Sequence, residues 1–265
     1  MEQVPLIVMT QENLRRTGEI VPPNRDLGYV QHLIYLLRGE APPKNDEDVR
    51  LLDLDFLLHS EHGSNASSFN ARSFASTYRP TMEEHGFNFY GAMSAGFGTL
   101  AGSAHGGAVG NIVRKLREIE DPTDEKSLKD WIEYQFDVRD REGKPKERGI
   151  MGFGHRVYKH SDPRATVIKE KLDDLSQRRQ MPEWYPKLLA LYNAMGLWMR
   201  RGVVVNVDYF SSAIYNMIGF PERLFLPLFA IGRVVGMATN IGEQLSHNIL
   251  IRPGADYVGS IDKKY

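Results

Sequence analysis

Apolar residues recur along this 265-residue chain at intervals of three and four, broken by glycines and prolines. That spacing puts them on one face of a helix, whereas strict alternation would signal a half-buried strand. Residues 27–38 (LGYVQHLIYLLR) follow Asp26, an N-cap candidate, and set Val30, Leu33, Ile34 and Leu37 on one face. Gly39 is a natural stop, and Pro22-Pro23 and Pro42-Pro43 bracket the unit. A second apolar pattern runs from Asp48 to Leu58, and helices are predicted over 108–119, 125–137, 165–178 and 186–200. Residues 89–107 are dense in glycine and alanine, where backbones can approach closely. Alternation at period two is scarce. The strong β-branched run, Val203 to Val207, spans five residues and reads equally as the buried entrance to a helix. An all-α fold is the expectation. Residues 120–130 and 139–149 read as polar surface loops. Residues 106–217 hold most of the charged loops and form the candidate smaller lobe, set between parts of a larger one at 1–105 and 218–265.

Composition narrows the function classes. With 42% hydrophobic and 25% charged residues, the chain has enough apolar material for a real core over one or two domains. Lys plus Arg total 33 against 34 Asp plus Glu, so a net charge of −1 gives no global pull toward nucleic acid or acidic membranes. Anion recognition must then come from local clusters. The absence of cysteine removes disulfides, thiolate nucleophiles and cysteine-based metal sites together. The start, MEQVPLIVMTQENLRR, carries Glu2 and a very short apolar run, which is not the pattern of a signal peptide. No uncharged apolar stretch approaches the roughly 20 residues that span a bilayer. A cytoplasmic location is expected.

Four polar clusters sit where helical patterns break at glycines. The first is HSEHGSNAS at 59–67, whose serines and asparagine suit a helix end. His59 and His62, at i and i+3, are also a conceivable metal pair, but no cysteine or third ligand is near. The second is GSAHGGA at 102–108: small residues let a ligand approach His105, and a following helix N-terminus favours an anion. A tight turn with a capping histidine is the plainer reading. The third is GFGHRVYKHSDPR at 152–164, with two glycines, two histidines, two arginines and a lysine. A solvated basic loop accounts for Lys159 and His160, yet has no use for an aromatic between glycines. The fourth is VNVDYFS at 205–211, where Asp208 follows an apolar run that suits it to act as a base, an N-cap being the plainer role. Three histidines, one semi-buried aspartate and the arginines Arg164, Arg233 and Arg252 suit a multiply anionic substrate and a proton taken from carbon. Arginine serves carboxylates because its planar fork makes two charge-assisted hydrogen bonds at once.

Taken together, these segments resemble the citrate synthase family. GFGHRVYKHSDPRA at 152–165 is similar to the family's long signature. HSEHGSNASSF at 59–69, AHGGA at 104–108, VNVDYFS at 205–211, FAIGRVVG at 229–236 and LIRPGADYVG at 250–259 follow in the family's order, with VPPNRDLGYVQHLIYLLRGE at 21–40 upstream. The resemblance implies a large helical domain with an inserted smaller one, closing over substrate. It implies an acyltransferase that condenses acetyl-CoA, or a related acyl-CoA, with oxaloacetate and holds no permanent cofactor or metal. By the same likeness Asp208 removes a methyl proton, His105 hydrogen-bonds the thioester oxygen and His155 polarises the keto oxygen. His62, Arg164 and Arg233 would hold oxaloacetate carboxylates, Arg252 would reach a neighbouring subunit's site, and Arg156 and Lys159 would meet CoA phosphates. The same groups would serve a citryl-CoA lyase running backward, and a non-catalytic subunit is the reading from another class.

Two departures bear on these expectations. The family usually begins well upstream of Met1, so a short form, a companion subunit supplying further helices or a truncated chain is expected, with a homodimer as the minimum assembly. Around His105 the chain reads GSAHGGAVGNIV where the family has Pro-Leu before the histidine and Asn-Glu after it, and ATNIGEQ at 238–244 lacks the usual tryptophan and histidine. The CoA side therefore differs more than the catalytic positions do.

Overall fold

A computed structural model describes residues 2–79, 86–103, 105–137 and 149–260. Helices α1 (Gln3–Thr17), α2 (Tyr29–Arg38), α3 (Glu47–Ser60), α4 (Ala66–Ser76) and α5 (Phe89–Leu100) lead to a 3₁₀ turn at Gly106–Ala108. Then come α6 (Val109–Arg117), α7 (Glu125–Phe136), α8 (Pro163–Lys169), α9 (Leu172–Arg178), α10 (Trp184–Ala194) and α11 (Gly196–Arg200). Helices α12 (Val207–Ile218) and α13 (Phe225–Ser246) complete the set. Among the described residues there is no strand, only an isolated antiparallel bridge between Phe153 and Val205. The all-α reading holds.

Local signals explain most boundaries. Asp46 caps α3 by accepting from the amides of Asp48 (2.9 Å) and Val49 (3.2 Å). Gly39 ends α2 at φ +82°, a left-handed conformation that glycine adopts without strain. The N-cap of α2 is Gly28 and not Asp26: the Gln31 side chain reaches back to the Gly28 amide (3.3 Å), while Asp26 is held in a turn by Asn24. The expected helix over 165–178 is two, α8 and α9, and α8 starts earlier, with Asp162 as cap and Pro163 in its first turn. The 186–200 pattern is likewise divided between α10 and α11. The stretch 120–130 is only partly loop, because Asp124 caps α7. The loop expected at 139–149 lies outside the described residues apart from Gly149.

The central element is α13. It is long and apolar enough to cross a membrane, but 67% of its apolar window is buried inside the protein and Arg233 interrupts it. It packs on α3, α4 and α5, sharing a small buried cluster of Ala71, Ala92, Met93, Leu100, Met237 and Ile241. Its other faces join the larger core through Phe225, Leu228 and Ile231. Close approach to α3 depends on two glycines. A Cβ on Gly232 would lie 3.1 Å from the Cβ of His59, and one on Gly236 would lie 1.9 Å from the carbonyl oxygen of Ser60. Only a bare backbone fits there.

Gly236→Ala should therefore force α13 off the end of α3 and lower stability by about 1–3 kcal/mol, as overpacked cores do. Gly242, on the same helix, has nothing within 4 Å of a built Cβ. Gly242→Ala should be neutral or stabilising by up to about 1 kcal/mol from helix propensity. Thermal unfolding followed by circular dichroism compares the two, and equal midpoints would remove the close-crossing argument.

Candidate active site

A cavity of about 860 Å³ is lined by side chains from the end of α3, the 3₁₀ turn, the loop before α8, the start of α12 and the middle of α13. Seven of the residues singled out from sequence line it: His62, His105, His155, Arg156, Arg164, Asp208 and Arg233. Lys159 does not, and its Nζ donates to the carbonyl of His155 (3.0 Å). Arg252 is exposed in the segment after α13 and does not line it either. The pair His59 and His62 does not converge. His59 turns its ring nitrogens to Asp55 and Asp208, whereas His62 packs against His155 and Tyr158.

The loop carrying His155 is fastened to the start of α12 by backbone bonds. Gly154 donates to Val204 (2.7 Å), Asn206 donates to Gly152 (2.9 Å), and the Asn206 side chain donates to Gly154 (3.2 Å). Gly152 sits at φ +88° with any Cβ 2.9 Å from Tyr209, so glycine is required twice over. Phe153 packs on the Tyr209 ring (4.8 Å), which answers why an aromatic stands between two glycines. Asp162 completes the junction. Its carboxylate accepts from Arg164 Nε (3.0 Å) and Nη2 (2.8 Å) and from the amide of Val207 (3.2 Å) in the first turn of α12. Burial works against that charge, but Arg164 outweighs it and holds the Asp162 carboxyl below the usual range. Asn206, and not Asp208, is the N-cap of α12.

Hydrogen bonds fix the state of each histidine. His155 Nδ1 accepts from the amides of Val157 (3.0 Å) and Tyr158 (2.9 Å), so in the neutral ring the proton lies on Nε2, the edge left for a ligand. Burial holds His155 below its ordinary pKa. Burial, with the Arg164 charge next, lowers that of His62 to about 4. His105 is also held down, by burial and then by Arg233. Its Nε2 lies 3.1 Å from Ser67 Oγ, whose own hydrogen is committed to Asn65 Oδ1 (2.7 Å), so His105 is the donor in that pair. The bond reaches His105 because its turn nests on the end of α5: a Cβ on Gly107 would lie 2.8 Å from the Ala101 carbonyl.

The charged residues that line the cavity are Glu61, Arg156, Arg164, Asp208 and Arg233. Arg233 is buried, donates from Nε to the His59 carbonyl (2.6 Å), and leaves Nη1 without a partner. Burial lowers its pKa to about 10, against the pull of Glu61, so it stays cationic at neutral pH. Asp208 keeps 16% of its side chain exposed, and its buried Oδ1 also lacks a partner. Sequence reasoning passed over Asp162, Ser67, Asn65 and Tyr158 as site residues. The Asp-Pro at 162–163 is a helix-start signal that could have marked Asp162, while nothing local marks Ser67, which meets His105 only through the fold.

Comparisons with known proteins bear on the family and the overall fold. A sequence model of the family described as citrate synthase, C-terminal domain, matches residues 1–254. A citrate synthase of Haloferax volcanii is 32% identical over 260 residues, covering 98% of this chain and 63% of that protein. The crystal structure of citrate synthase from Thermotoga maritima superposes with a TM-score of 0.80 at 32% identity, covering 99% of this chain and 66% of that one. The ternary complex of carboxymethyl coenzyme A and oxaloacetate with citrate synthase from Thermoplasma acidophilum gives a TM-score of 0.77 at 28% identity, covering 99% of this chain and 65% of that one. The chain thus spans just under two thirds of the length of the curated relative it matches.

The depressed His62 predicts a pH dependence of stability. Above pH 6.5 the ring is neutral folded or unfolded; between there and about 4 the unfolded chain binds a proton that the folded one refuses. Stability should fall as pH drops through that window. His62→Gln removes the effect, so its unfolding midpoint should decline less between pH 7 and 4.5 than that of the wild type. Identical declines would mean that His62 is not held neutral.

Proposed function

The chain belongs to the citrate synthase family, and from that premise we propose that it joins the acyl group of an acyl-CoA, acetyl-CoA first, to oxaloacetate in this cavity. The observation that carries the reading is the unpartnered Nη1 of buried Arg233. A buried guanidinium with an idle donor is costly, and a substrate carboxylate is the group that satisfies it. Arg164 supplies a second fork and neutral His62 a neutral contact.

The reaction follows from the three other groups. Asp208 takes a proton from the carbon next to the thioester. That carbon acid is far weaker than a carboxylic acid, so the developing oxyanion needs a donor placed beforehand. His105 provides it, its Nε2–H passing from Ser67 to the thioester oxygen. The enol or enolate carbon attacks the keto carbon of oxaloacetate, and the Nε2–H of His155 goes to the keto oxygen. The product is a citryl thioester, which water then splits into citrate and CoA. Arg156 at the cavity and Lys159 beside it are the cations for CoA phosphates. His155, Arg164 and Asp208 lie within 106–217, while His62 and Arg233 lie outside it, which supports a smaller lobe closing on a larger one to exclude water.

Asp208→Asn should lower kcat by about 10²–10⁴-fold, the usual scale for a lost general base. The KM for oxaloacetate should change little. Arg233→Ala should instead raise that KM at least about tenfold. CoA release from acetyl-CoA plus oxaloacetate is the forward assay, and oxaloacetate formed from citryl-CoA is the reverse one, because the same groups serve both directions. Two kinetically mild variants would overturn the assignment.

A homodimer belongs to the same reading. The segment after α13 exposes Ile249, Leu250, Tyr257 and Val258, and Phe69, Phe74 and Tyr90 are exposed on α4 and α5. Apolar surface of this kind is a partner's footprint, and Arg252 sits within that segment. Sedimentation of the purified chain should give at least twice the chain mass, and Arg252→Ala should lose activity without losing the assembly. An active single-chain species would require another role for Arg252.

A further inference from the structure

His59 lies beneath the cavity on α3, fully buried and outside the chemistry assigned above. Its Nδ1 is 2.8 Å from the Asp55 carbonyl. A carbonyl only accepts, so Nδ1 carries a hydrogen. If that were the ring's only one, Nε2 would turn a lone pair toward Asp208 Oδ1, 3.6 Å away. Both atoms are buried and neither has another partner. Two acceptors facing each other in a dry interior are left unsatisfied together, whereas one added proton satisfies both.

We propose that His59 is a positioning residue for Asp208: an imidazolium that gives its Nδ1–H to Asp55 and its Nε2–H to Asp208 Oδ1, leaving the other carboxylate oxygen to face the cavity. This rests on the reading of Asp208 as the base. The surroundings supply the charge balance. Asp55 is buried, and it accepts from Tyr215 Oη (2.6 Å) and from Ser211 Oγ, both on α12, so its carboxyl group stands on one side of the ring while Asp208 stands on the other. Arg233 is the opposing cation, placed on the His59 carbonyl, and Phe229 meets the ring edge-on at 4.7 Å. Burial disfavours a charged ring, but the two carboxylates outweigh it and raise the His59 pKa. The ring is fully enclosed, with Gly232 of α13 so near that a Cβ there would lie 3.1 Å from the His59 Cβ. One oxygen of Asp208 is therefore tied and the other is aimed.

Nitrogen-detected or long-range proton–nitrogen NMR on the full chain with labelled histidine tests the charge directly, His59→Gln or His59→Asn assigning the signal. Both ring nitrogens of His59 should stay protonated above the ordinary imidazole range, and Asp208→Asn should lower the pH at which the ring loses its proton. A His59 ring that is neutral at pH 7 in the wild type overturns the proposal, whether or not the chain is active. If the chain proves inactive toward acetyl-CoA and oxaloacetate, the proposed function fails while the NMR still decides the charge. If it is active, His59→Ala should lower kcat about 100-fold, and His59→Gln, which keeps a neutral donor, about tenfold, both with the oxaloacetate KM within about twofold. Equal losses of kcat for the two variants, or a loss that falls on the oxaloacetate KM, would reduce His59 to packing and overturn the positioning role.

Discussion

The crossing of α13 over the C-terminal end of α3 is the constraint from which most of the site follows. Two glycines one turn apart, Gly232 and Gly236, let the backbones approach within van der Waals contact of Phe56, His59 and Ser60. At that distance Arg233, between the glycines, reaches the exposed carbonyl of His59. One turn on, Asn240 reaches Glu61, whose other oxygen accepts from the His62 amide (2.7 Å) and the Asn65 side chain (3.3 Å). Helix ends leave carbonyls without intrahelical partners, and here the second helix supplies a donor. The cation that faces the cavity is thus fixed by the bond that completes α3.

A second junction uses the same economy. The loop at 152–162 has no regular structure of its own, yet it carries His155 and leads into α8, where Arg164 is the second residue. It is held by a two-residue exchange of backbone bonds with 204–206 and by one buried carboxylate, Asp162, that serves Arg164 and the first turn of α12 at once. Asp208 stands in that same turn. Any displacement of the loop would therefore carry His155, Arg164 and Asp208 together. Their mutual geometry depends on local bonds, and only their placement relative to Arg233 depends on how the two parts of the chain meet.

How much of this could be read from sequence follows from the range of each interaction. The all-α class, α2, α3 and α7 were legible because an apolar face at helical spacing is a local signal, while the cap of α2 was not, being a backbone amide of Gly28 held by Gln31. Helices α1 and α4 were not, since α1 buries Glu12 and Asn13 alongside Met9, and α4 buries serines and alanines, so neither shows an apolar stripe. The division at residues 170–171 inside the expected 165–178 helix carries no glycine or proline. In the site, the lining residues His62, His105, His155, Arg164 and Asp208 stood out because each sits in a polar cluster where a helical pattern breaks, whereas Arg233 is an isolated arginine within an apolar helix, marked by the family resemblance. Their supports did not. Ser67 is 38 positions from His105, Asp55 is 156 from Ser211 and 160 from Tyr215, and such pairs exist only once the helices pack.

The electrostatics of the cavity favour histidines that are donors without being cations. Arginines already supply fixed positive charge there, so further cations would hold an anion more tightly at rest without lowering a reaction barrier. His62, His105 and His155 are all held below their ordinary range, chiefly by burial, and two have their proton placed by a neighbour: the amides after His155 and the hydroxyl of Ser67. A neutral ring whose hydrogen is already aimed stabilises charge that develops on an oxygen, yet it does not lock onto a carboxylate at rest. His59 is the exception, and its position explains why. It alone is enclosed between two carboxylates and shut away from the cavity, so its charge acts on Asp208 and not on anything that enters.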